Sequence, residues 1–176
     1  MKRMSFAMTV DAIVDRSKTV TRRPSHTWTA VKPGDRIVAV DKVMGFKKGQ
    51  VARVLGVVRV VSVRVERLDA FPPEDCAREG LPDLTPADFI ARFAAAYNLS
   101  ADEAKWTEVR RIEFKHLTGD ALIAALGEVN QRAAAGRKAR ERKDIKAWQA
   151  EVLSKAGFHS EVHGMPFERL PEGEPC

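Results

Sequence analysis

The turn Lys32-Pro33-Gly34-Asp35, and the run Ser17-Lys18-Thr19-Val20-Thr21-Arg22-Arg23 that precedes it, constrain this chain more than any other feature. Pro33-Gly34 turns the backbone, and Arg36-Ile37-Val38-Ala39-Val40 leaves the turn as a Val/Ile-rich strand. The earlier run places an amine, hydroxyls and two guanidiniums within a few positions. Cationic and hydroxyl groups just ahead of a barrel-type strand suit a pocket for an anionic or polar planar ligand.

Around these segments the pattern is that of one α+β unit followed by a helical extension. Met4 to Met8 reads as a short strand, and Thr9 as the N-cap of a helix over Val10 to Asp15. Lys18 to Arg23 alternates β-branched and charged residues until Pro24 ends the run. Val54 to Val65 reads as one long bent strand, or two joined near Gly56. Pro72-Pro73-Glu74-Asp75 opens a short helix that Gly80 stops. Thr85-Pro86-Ala87-Asp88 opens a stronger one, with Phe89, Ile90, Phe93, Ala96 and Tyr97 at helical spacing. Val109 to Phe114 returns to a strand, with Trp106 just before it expected in the core.

After Leu117 the character changes. Asp120 to Gln131 is helical, with Leu122, Ile123, Leu126 and Val129 on one side, and Arg132 to Lys146 is strongly basic. The expected division is therefore a domain over 1–117 and a helical, basic extension over 118–176.

A chain of 176 residues suits one well-packed domain with an appendage. An apolar fraction of 44% beside 31% charged residues excludes a disordered polymer. The net charge of +6 favours polyanionic partners. Met1-Lys2-Arg3 begins like a signal peptide, but Asp11, Asp15 and Arg16 interrupt any apolar core. No stretch approaches a membrane span, and Cys76 and Cys176 make neither a disulfide framework nor a zinc site. His159 and His163 lie four apart without further ligands. The expectation is a cytoplasmic protein with no metal, no cofactor and no membrane partner; its oligomeric state is left open.

With the pieces placed, the chain resembles an ASCH-domain protein of the PUA-like superfamily. Three stretches carry the resemblance in order: Ser17 to Arg23, Lys32 to Asp35, and Ala77-Arg78-Glu79-Gly80 leading into Thr85-Pro86. Arg111 to Lys115 resembles the closing strand of such domains, so the likeness covers about the first two-thirds of the chain. It implies a small PUA-like mixed β-barrel with flanking helices and a cleft for RNA or a modified nucleoside. One branch of the family consists of amidohydrolases that remove the acetyl group of N4-acetylcytidine, using a lysine, a threonine three residues on and a distant glutamate. The matching positions are Lys18, Thr21 and Glu79. Other members are regarded as RNA binders or ribonucleases, so a non-enzymatic nucleic-acid reader and a ribonuclease stand as alternatives.

A catalytic Lys18 must be neutral part of the time, which burial or a neighbouring guanidinium promotes. Residues three apart on a continuous strand face opposite sides, so Lys18 and Thr21 converge only if the chain bends between them. Without the resemblance, Lys18 is a phosphate contact and Glu79 a solvated residue at a helix end. Arg22 and Arg23 are expected to contact an anion, one of them turning to an acid or to solvent. Trp28 either stacks on a base or plugs the end of the barrel. Arg137, Lys138, Arg140, Arg142 and Lys143 form either a clamp on a phosphate backbone or a solvated helix face.

Overall fold

In the computed structural model, which describes residues 1–47 and 49–136, five strands form one sheet in the order β1-β3-β4-β5-β2. The strands are β1 (Lys2–Ser5), β2 (Val20–Pro24), β3 (Arg36–Val40), β4 (Val54–Arg67) and β5 (Glu108–His116). β1 runs parallel to β3, and the other three pairings are antiparallel, so the sheet is mixed. It curls as a half-barrel, and with the helices that flank it the fold is α+β. No ladder joins the edge strands β1 and β2 among the described residues; a side chain bridges them instead, Arg23 Nη2 donating to Ser5 O at 2.5 Å.

The long strand is single. Its expected bend appears at two register irregularities against its neighbours, one facing Ala39/Val40 and one between Val60 and Ser62. Each extra residue bends the strand and adds twist, which is what curls the sheet. The first strand is shorter than expected. Phe6 N–H still reaches Val40 O, but Thr9 N–H then closes a turn on Phe6 O. Phe6 to Thr9 thereby leave the ladder.

One face of the sheet holds a core of Met4, Phe6, Ile13, Val31, Ile37, Ala39, Val58, Val60, Ile112 and Phe114. A second cluster forms where helices cover the far end of β4 and β5: Leu68, Phe71, Cys76, Phe89, Phe93, Ala94, Ala104 and Val109. Helix α1 (Val10–Val14) sends Ile13 into the first core, while α2 (Asp75–Arg78), α3 (Pro86–Tyr97) and α4 (Ala101–Trp106) supply the cover of the second. α3 starts as its sequence requires, with the Thr85 hydroxyl accepting from Asp88 N–H and the Asp88 carboxylate accepting from Thr85 N–H. Thr85→Ala removes that cap and should cost about 1 kcal/mol in a urea titration.

Ser100 and Glu103 build the same box for α4. That helix turns Trp106 outward, 67% exposed, with the Arg67 guanidinium 4.0 Å over its ring. Trp106 is thus a surface cation–π partner, and the core position expected of it belongs to Ala104. Residues 119–136 are helical. Within the compact unit 1–129, Ala125 is fully buried and Glu128 pairs with Arg36 at 2.9 Å. Ile123 faces outward, so the inward stripe is the buried Ala125 flanked by half-buried Leu122, Leu126 and Val129. Among the described residues no helix is long and apolar enough to cross a membrane.

Candidate functional site

Between the unpaired edges of the half-barrel lies a pocket of about 160 Å³. One wall is Ser5 to Thr9, where the chain leaves β1; the opposite wall is Lys18, Thr21, Arg22 and Arg23. Helix α3 closes it with Phe89, Arg92, Phe93, Ala96 and Tyr97, the i, i+3, i+4, i+7, i+8 face of one helix. Glu79 and Leu81 complete the lining. Thr9 heads α1 without capping it by its side chain and contributes to this lining instead.

Lys18 precedes β2. Its N–H bonds Ala12 O, and the next amide, Thr19 N–H, bonds Arg78 O. The chain therefore bends at the point where the alternation of a strand would have separated Lys18 from Thr21. Both side chains reach the same pocket, at 3% residue exposure each. Lys18 Nζ donates to Glu79 Oε2 at 2.7 Å and also to the Glu79 carbonyl. Thr21 has no side-chain hydrogen bond among the described residues, which leaves its hydroxyl available to a guest.

Glu79 is brought to Lys18 by backbone geometry. Gly80 follows it with φ +76°, and a Cβ there would lie 2.4 Å from Ala12 Cβ and 3.2 Å from Lys18 Cβ. Only glycine lets the end of α2 approach this closely. Glu79 is 2% exposed, so the solvated surface alternative does not apply to it.

Arg22 turns to acids. Its Nε donates to Glu66 Oε1 at 2.9 Å, its Nη1 to Glu79 Oε1 at 3.2 Å and its Nη2 to Asp75 Oδ2 at 2.5 Å. Phe71 covers the guanidinium at 4.2 Å. Directly opposite Arg22 in the register sits a second buried cation, Arg111. Like charges so placed repel, and Asp75 resolves the conflict from α2. It accepts Arg111 Nε at 2.8 Å and Nη2 at 3.1 Å while also accepting Arg22. Glu113, bonded by Arg78, Arg111 and Ser62, extends the network outward. No motif in the sequence marks Asp75, Arg111 or Glu66 as site residues. A readable sign for Arg111 was its alternation with Val109, which places it on a covered face of β5.

Burial pushes the Lys18 amine below its ordinary value, aided by Arg23 and Arg22 and opposed by Glu79. Desolvation pushes the Asp75 carboxyl up, but the forks of Arg111 and Arg22 outweigh it and hold the group at about 2. The same contact raises Arg111, since Asp75 bonds only its charged form.

Of the expected site residues, Lys18, Thr21, Glu79, Arg22 and Arg23 meet at this pocket. Trp28 does not line it; it packs against the sheet core. Arg137, Lys138, Arg140, Arg142 and Lys143 lie outside the described residues.

Solved structures with related folds include an ASCH domain from Lactobacillus crispatus, which matches 65% of this chain and 78% of its own at 13% identity, TM-score 0.46. A protein of Enterococcus faecalis V583 placed in the family DUF984 matches 62% of this chain and 70% of its own, at 18% identity and TM-score 0.44. The hypothetical protein PH0355 matches 66% and 96%, at 18% identity and TM-score 0.44. The chain, whose ordered motifs resemble an ASCH domain, is thus similar to a solved ASCH domain. No family model matches the chain, and no curated protein does.

Proposed function

We propose that the pocket takes the pyrimidine ring of an acylated nucleoside and hydrolyses its exocyclic amide, as the N4-acetylcytidine branch of the ASCH family does. The observation that carries this reading is the buried Lys18–Glu79 pair at 2.7 Å, opening with Thr21 on one small cavity. Cavities of ~150 Å³ accept a single benzene-sized ring, so about 160 Å³ suits one pyrimidine and leaves its sugar at the mouth.

In the neutral form that burial favours, the Lys18 amine takes a proton from the attacking oxygen, that of Thr21 or of a water Thr21 orients. The oxygen's electron pair forms a bond to the acyl carbon and the C=O pair moves onto oxygen. Collapse breaks the C–N bond, and the leaving amine takes up the proton. Glu79, bonded to Nζ, moves that proton between attack and departure. If Thr21 attacks, a water then adds to the acyl carbon, giving its proton to Lys18. Collapse breaks the bond from that carbon to the Thr21 oxygen, which takes the proton back, and the acid formed ionises by releasing its own proton to solvent. The products are the free amine of the base and a carboxylate.

Incubation with N4-acetylcytidine tests this directly, with cytidine release as the readout. Lys18→Ala should lower kcat/KM by about 100-fold or more, the scale of a lost general base. In the wild type, activity should rise with pH through a group titrating below the ordinary lysine value of 10.5. No cytidine, or full activity in Lys18→Ala, removes the catalytic assignment.

A non-enzymatic reader of RNA is the second reading, favoured by the +6 charge and the basic run after Arg132. Under it RNA binds unchanged, and neutralising Arg137, Lys138, Arg140, Arg142 and Lys143 flattens the dependence of affinity on salt. Shortening of the RNA in the same reactions would mark a ribonuclease.

A further inference from the structure

Four cations line the pocket: Lys18, Arg22, Arg23 and Arg92. Two are committed inward, Lys18 to Glu79 and Arg22 to Glu66, Asp75 and Glu79. The other two are not. Arg92 stands exposed on the pocket face of α3 and forms no ion pair among the described residues. Its helical neighbour Asp88, four residues earlier, turns Oδ2 to Thr85 N–H and Oγ1–H, and acts on Arg92 only through its charge and not as an ion pair. Arg23 is half-buried and spends one nitrogen on Ser5 O, with its guanidinium 5.7 Å from the Phe6 ring. Its Nε is buried and has no hydrogen-bond partner.

We propose that Arg92, with Arg23 opposite, forms an anion subsite at the pocket mouth that selects a 5′-phosphorylated pyrimidine nucleotide over the free nucleoside. The proposal rests on the reading that the cavity holds the base. A ring-sized cavity leaves the sugar and its substituents outside, and the cations of the lining not held by acids are the guanidiniums of Arg92 and Arg23, groups that match phosphate oxygens in pairs. Arg22 cannot serve, since acids occupy all three of its nitrogens. A terminal monophosphate and the phosphodiester of a short RNA offer the same chemistry, and the test separates them.

Calorimetric titration with cytidine, cytidine 5′-monophosphate and an unphosphorylated pyrimidine trinucleotide, at low and moderate salt, decides the matter. The monophosphate should bind about tenfold tighter than cytidine, the scale of one charge-assisted contact pair. Arg92→Gln should narrow that ratio to about twofold. Because Arg92 is an exposed helix residue, this variant keeps its fold even if Arg23→Gln does not. A trinucleotide that matches the monophosphate assigns the subsite to RNA; a weaker one assigns it to mononucleotides. Equal affinities for cytidine and its monophosphate, no binding of either, or a ratio that survives Arg92→Gln overturns the inference. Hydrolysis is read separately: a protein inert toward N4-acetylcytidine but showing the Arg92-dependent ratio loses the catalytic assignment and keeps the subsite.

Discussion

Asp75→Ala should lower the unfolding free energy by about 3–5 kcal/mol, the cost of stranding a buried charge by deleting its partner. Asp75 is 1% exposed and holds two buried guanidiniums, those of Arg22 and Arg111, that face each other across β2 and β5. Without the carboxylate, the two cations repel with only Glu66, Glu79 and Glu113 to share. Arg22 then loses the brace that fixes its Nη1 on Glu79, so the Lys18–Glu79 contact loosens as well. Urea titration gives the stability. A loss under about 1 kcal/mol would show that the guanidiniums find water or other acids, and that Asp75 is not the keystone of the network.

The same carboxylate predicts a dependence on acid. Its folded value of about 2 lies below its ordinary 3.8, so folding favours the ionised form. The resulting stabilisation is fully present above the ordinary value and is lost as pH falls through about 2. A difference of nearly two pH units corresponds to roughly 2 kcal/mol. The stability gap between wild type and Asp75→Asn should therefore shrink by about that amount between about pH 5 and about pH 2. A gap constant over this range would mean that Asp75 is not held ionised by its arginines.

Local signals carried much of the fold. The Pro33-Gly34 turn, the Thr85–Asp88 box and the β-branched run of β4 each express a preference contained within a few residues. The α4 box at Ser100 and Glu103 is equally local, a serine followed three residues later by a glutamate. Lys18, Thr21 and Glu79 were legible only through the order of motifs, because Glu79 joins Lys18 across 61 positions. The arginine–acid network was not legible. Arg22 meets Glu66, Asp75 and Arg111 through sheet register and the docking of α2, and neither is encoded near any one of them. Trp106 misled for a related reason: an apolar residue beside a strand looks internal until the helix phase of α4 sets its direction.

Gly80→Ala should destabilise the protein by about 3 kcal/mol and depress any activity that depends on Glu79. An alanine at φ +76° carries a left-handed penalty of about 1–2 kcal/mol. Its Cβ would also lie 2.4 Å from Ala12 Cβ, and α1 cannot yield freely because Ala12 O holds the Lys18 amide. Overpacking of this kind adds about 1–3 kcal/mol. Gly34 separates the two causes, since its φ is +90° but a Cβ there meets nothing within 4 Å. Gly34→Ala should therefore show the backbone penalty alone, and leave the Lys18 site undisturbed. If both substitutions cost the same, the close approach of α2 to α1 exerts no constraint, and Glu79 must be held against Lys18 by its side-chain bonds rather than by the backbone that delivers it.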